Sequence, residues 1–217
     1  MKTIEKRNFN GALRNRQKTG IKPALILLFT LAFFILPENV TLAHCDTMDG
    51  PVIKDAIKAM ETNNVNHALK WVQPGNEAEV KEAFILTMKV RNLNPDARIL
   101  ADKYFFDLVV RLHRSGEGVP FTGVKPSGTP IDEKVLAADK SIETGDLTPF
   151  KALVTAEAVP ELTELFEKAL SLRGFDIMNI EAGRAYVEAY VKFFKFAEGE
   201  EEYHNEASAV SHSVHNH

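Results

Sequence analysis

A constant offset of 82 residues runs through the chain and limits what it can fold into. Lys58 to Val65 (KAMETNNV) corresponds to Lys140 to Leu147 (KSIETGDL). The same offset pairs Ala56 with Ala138, Phe84 with Phe166, Arg91 with Arg173, Tyr104 with Tyr186 and Val109 with Val191. We therefore read an internal duplication, with halves at about 50–114 and 132–197. Two copies are too few for a solenoid, so the halves are expected to pack on one another as one domain, residues 44–198.

Within the first half the apolar residues recur at helical spacing. Gly50-Pro51 opens a helix carrying Val52, Ile53, Ala56, Ile57 and Met60. Val65, Ala68, Leu69 and Val72 mark a short second helix that stops at Pro74-Gly75. Asn76 is placed to cap a third helix, with Val80, Ala83, Phe84, Leu86, Thr87 and Val90 near one face. A fourth, after Asn94-Pro95, carries Ile99, Leu100, Tyr104, Phe105, Leu108, Val109 and Leu112. Tyr104 and Tyr186 read as equivalent packing residues, and His67 as a surface or capping residue. No alternation typical of a strand occurs. The expected class is all-α, an internally duplicated helical bundle. The glycine- and proline-rich stretch 115–130 reads as a loop, because it lacks the order of a phosphate-binding loop and no strand precedes it.

The two ends differ from this body. Residues 1–22 hold seven basic residues against Glu5, and Pro23 to Leu36 (PALILLFTLAFFIL) is almost wholly apolar. That is the layout of an export signal, with Thr41-Leu42-Ala43 as its cleavage site. The apolar run is shorter than the ~20 residues that span a bilayer. We expect residues 1–43 to be a signal peptide and the product to be periplasmic or extracellular. An uncleaved membrane anchor is the alternative, and the sole membrane contact foreseen. The remainder carries 19 Lys+Arg and 28 Asp+Glu, a formal charge of −9, which argues against a nucleic-acid partner. Residues 199–217, with Glu200 to Glu202 and then His212, His215 and His217, have the composition of a disordered tail.

Cleavage after Ala43 would make His44 the first residue and Cys45, the only cysteine, the second. A terminal amine titrates near ~7.7–8.0 and is available as a ligand near neutral pH. The amine, the Cys45 amide nitrogen and the Cys45 thiolate can close fused chelate rings on one metal, with the His44 imidazole apical. Such donors favour copper or nickel ahead of zinc. Asp46, Asp49 and His113 are candidate accessory ligands. A histidine near a helix C-terminus is, however, also favoured by the helix dipole alone. His67 and His113 face Pro149 and Lys195 across the offset, so the shared fold does not require either. No motif for an organic cofactor, nor any Gly-x-Ser-x-Gly, His-Glu-x-x-His or Cys-x-x-Cys, is present.

His44-Cys45-Asp46-x-x-x-Gly50 resembles the N-terminal hook of nickel superoxide dismutase, which reads His-Cys-Asp-x-Pro-Cys-Gly. The resemblance implies the amine and axial ligand at His44 and a thiolate at Cys45. It covers seven residues, and Met48 and Asp49 stand where that family has proline and its second cysteine. The body instead resembles an uncharacterised bacterial family of exported helical proteins that begin His-Cys-Asp-Thr. The resulting expectation is a transition-metal-binding protein, redox-active on superoxide or a similar small oxidant in its sharper form. The competing expectation is a non-enzymatic interaction or scaffold protein of the cell envelope. Homo-oligomerisation stays open.

Overall fold

The structure is a computed structural model and describes residues 44–199. Residues 1–43, where a signal peptide is expected, and the tail beyond Gly199 lie outside the described residues. Eight helices follow one another: α1 Pro51–Thr62, α2 Asn66–Leu69, α3 Glu77–Val90, α4 Pro95–Gly116, α5 Glu133–Thr144, α6 Thr148–Lys151, α7 Val159–Leu172 and α8 Ile180–Glu198. Short 3-10 turns at His44–Asp46 and Pro74–Asn76 precede α1 and α3. The fold is all-α. Among the described residues the one strand-like feature is an isolated bridge between Thr47 and Lys125. No described helix is long and apolar enough to cross a membrane.

The bounds of α1 and α5, of α2 and α6, and of α3 and α7 each differ by 82 residues, as do the ends of α4 and α8. The stop of α1 and that of α5 share a backbone solution. Asn63 (φ 51°) and Gly145 (φ 75°) are both left-handed, the conformation in which glycine, and after it asparagine, ends a helix. Asn94 and Asn179 cap α4 and α8 by accepting from Ala97 N (2.8 Å) and Ala182 N (3.0 Å). Asn76 does not cap α3 with its side chain. The 3-10 turn leaves its backbone already near helical (φ −100°, ψ −1°), and capping needs the extended region.

The helices pair as α3 on α4 and α7 on α8, with α1 against α4 and α5 against α8. Val52, Ile53, Phe105, Val109, Phe150, Leu162 and Phe193 form the fully buried centre. Phe150 and Phe193 meet edge to face at 5.6 Å, a preferred geometry for aromatic pairs. Full burial of one such ring contributes about 1.5–3 kcal/mol. Three packing expectations are corrected. Tyr104 is 49% exposed, and Leu86, Ile99 and Leu100 are more so, because nothing among the described residues covers that side of the α3–α4 pair. Its counterpart Tyr186 is half-buried against Phe175. His67 is buried, since α2 is a single turn pressed onto α1.

Candidate functional site

The segment 44–50 is fastened down before α1 begins. The His44 carbonyl accepts from both Thr47 N and Thr47 Oγ1 at 3.1 Å, and Gly50 N donates to Thr47 O at 2.9 Å. Gly50 is required by space: a Cβ there would lie 2.2 Å from the His44 carbonyl oxygen. The loop after α4 straps the segment from the other side. Lys125 N donates to Asp46 O (2.8 Å), and Met48 N donates to Lys125 O (3.0 Å).

His44 is buried, 3% exposed, and its ring stacks on Phe194 of α8 (15° between planes). Nε2 is hydrogen-bonded to Asp139 Oδ2 on α5, while Tyr190 on α8 donates to the other oxygen, Oδ1, at 2.9 Å. In the neutral ring, an Nε2–H given to the carboxylate leaves the lone pair on Nδ1. Nδ1 is buried and has no hydrogen-bond partner among the described residues. Burial and the neighbouring Asp139 charge push the Tyr190 hydroxyl well above its usual pKa, so it stays a donor. Cys45 is half-buried and close enough to Tyr190 for its charge to act on that hydroxyl.

The other candidates point elsewhere. Asp46 is buried, with Oδ1 3.4 Å from Arg114 Nε. Desolvation raises its pKa, against the opposing pull of Arg114. Asp49 accepts from Ser127 Oγ (2.6 Å) and Gly128 N (2.8 Å), and these bonds hold its carboxyl below the usual range. His113, 4% exposed, donates from Nδ1 to the Trp71 carbonyl (3.0 Å). Its Nε2 is buried 3.6 Å from Glu117 Oε2. Burial lowers the His113 pKa more than Glu117 raises it. At 3.6 Å the carboxylate is beyond hydrogen-bond reach, and it is also drawn to Arg114 at 3.0 Å. Among the described residues no group of three or more His, Cys, Asp or Glu side chains is placed to hold a metal ion. Any ion at the corner would therefore draw on main-chain nitrogen as well as on His44 and Cys45.

Sequence reasoning missed Asp139 and Tyr190. A signal for both was present. Across the 82-residue offset they stand opposite Ile57 and Leu108, so the second half places polar groups where the first has apolar ones.

No curated protein and no solved structure matches the chain. The sequence profile of a family of unknown function, DUF6448, matches residues 49–196, which begins just after the His44–Met48 turn and takes in all of α1 to α7 and most of α8. The chain therefore belongs to DUF6448.

Proposed function

We propose that this is an exported metal-binding protein in which a chain terminus at His44 presents its amine, the His44 Nδ1 and the Cys45 thiolate to one transition-metal ion. The observation that carries the reading is the state of the His44 ring. Its Nε2 is fixed by Asp139, and its buried Nδ1 has no hydrogen-bond partner among the described residues. An unsatisfied buried polar atom costs about 1–3 kcal/mol, which a bound ion would remove. A carboxylate on the far nitrogen is also how metal-binding histidines are oriented and made more basic. Nδ1 lies on the side of the ring nearer its own α-nitrogen, so both can chelate one ion. Two nitrogens and a thiolate suit copper or nickel, and zinc after them.

Storage or delivery is the mild form of this function. Superoxide turnover is the sharp form. In it one superoxide is oxidised to dioxygen, and a second takes up the electron and two protons to give hydrogen peroxide. That form needs a metal that cycles, such as copper or nickel. We also read the body as two copies of one helical unit, supported by the matching helix bounds.

The test is calorimetric titration of Cu(II) and Ni(II) into two chains, one beginning at His44 and one at Ala43. Tight one-to-one binding to the first, lost in the second and in Cys45→Ser, is expected. Equal binding by both chains would refute a role for the amine.

A second reading, an interaction protein of the envelope, is favoured by one observation. Leu86, Leu100 and Tyr104 are exposed and line one apolar hollow on the α3–α4 pair, an apolar concentration of the kind that marks contact surfaces.

A further inference from the structure

A second feature lies beside the His44 corner and shares Tyr190 with it. A cavity of about 370 Å³ opens between α1, the turn at α2 and the chain around α8. That volume is in the range of small-molecule sites. Asp55, the only carboxylate among the described residues of its lining, is already engaged. It accepts from Lys70 Nζ and from Trp71 Nε1, both at 2.8 Å. The Lys70 ammonium is itself fixed, 8% exposed and 5.2–5.8 Å from the ring centres of Phe175, Trp71 and Tyr186.

Two further cations line the same cavity, Lys58 from α1 and Arg173 from the end of α7. Both are exposed, and neither forms an ion pair among the described residues. Arg173 is steadied by donating from Nη1 to the carbonyls of Ile142 and Glu143. The lining thus carries surplus positive charge, in a body whose formal charge from His44 onward is −9. A local reversal of sign of this kind concentrates anions. The aromatic walls add flat apolar surface that a bare inorganic anion would leave unused.

We propose that this cavity binds a small organic anion, a carboxylate on a flat apolar body, with its charge toward Lys58 and Arg173 and its body against the Trp71 and Phe175 rings. The proposal does not depend on the metal reading, and it is tested on metal-free protein so that the two stand or fall separately.

Trp71 is the only tryptophan and lines the cavity, so its emission reports occupancy directly. The probe is benzoate. Benzylamine, with the same ring and the opposite charge, and inorganic phosphate are the comparisons. A saturable change in Trp71 emission with benzoate alone is expected. It should weaken roughly tenfold in Lys58→Glu and in Arg173→Gln, the size of one lost charge-assisted hydrogen bond. Lys58 is exposed and forms no ion pair among the described residues, so Lys58→Glu should keep the thermal midpoint and far-UV dichroism of the parent. No saturable response, an equal response to benzylamine or phosphate, or undiminished binding in both folded variants would overturn the proposal.

Discussion

His44 and Asp139 are hydrogen-bonded partners 95 positions apart in sequence, and through them the segment before α1 is tied to α5 and, by Tyr190, to α8. Substituting Asp139 with Ala leaves the ring of a buried histidine and a buried tyrosine hydroxyl without their acceptor. We expect a loss of about 1–3 kcal/mol, read as a lower urea midpoint. In a chain beginning at His44, the same change should weaken metal binding by roughly 10–100-fold, as loss of an orienting carboxylate does. Unchanged metal affinity would mean that the ring orientation is irrelevant to any ligand.

Gly50→Ala tests the turn itself. The added methyl would overlap the His44 carbonyl oxygen, which is main chain and already held by Thr47. We expect destabilisation of about 1–3 kcal/mol, the usual cost of forcing volume into a packed place. Amide exchange should rise at Met48 and Lys125, which donate to Lys125 O and Asp46 O across the bridge that the displaced turn would open.

Acid should destabilise the protein through two of its buried histidines, His113 and His67. Burial holds the His113 pKa below its ordinary 6.5, against Glu117 and with Arg114 and Lys195 nearby. Below 6.5 the unfolded chain therefore binds the proton more readily than the folded one. The contribution is complete above 6.5 and is lost as pH falls through the window between that value and the depressed folded one. His67 is shifted the same way, also by burial, and adds to the slope. Urea midpoints measured from about pH 8 down to about pH 5 should fall, and His113→Gln should flatten the curve without abolishing it.

Asp55 holds two donors that are otherwise enclosed, Lys70 and Trp71. Asp55→Ala would strand the buried Lys70 ammonium. A cost of about 2–3 kcal/mol is expected, below that of a fully buried pair because Asp55 keeps 19% of its side-chain surface. Trp71 emission should change even without ligand, since its indole donor loses its acceptor.

Much of the body was legible in the sequence because helices announce themselves locally. Val52, Ile53, Ala56 and Met60 repeat at helical spacing and are buried in α1, and Asn94-Pro95 marks a start that Asn94 caps. What failed was whatever depends on neighbours distant in sequence. Tyr104 carries the same apolar signature as Tyr186, yet only Tyr186 has Phe175 and Lys70 beside it. His67 looked like a surface residue because a one-turn helix has too few positions to show which face is covered. For the candidate site, His44 and Cys45 were visible as chemistry but their anchoring was not. Asp139 is marked in the sequence only by standing opposite Ile57 across the offset, and its partner shows only once α5 brings it against His44.

The most direct measurement is the metal content of protein exported and processed by a host that uses such a leader, with the N-terminus sequenced on the same sample. The account predicts a chain beginning at His44 with one copper or nickel ion per chain, lost in Cys45→Ser. A chain beginning at His44 that stays metal-free, even after reconstitution with either ion, would contradict it.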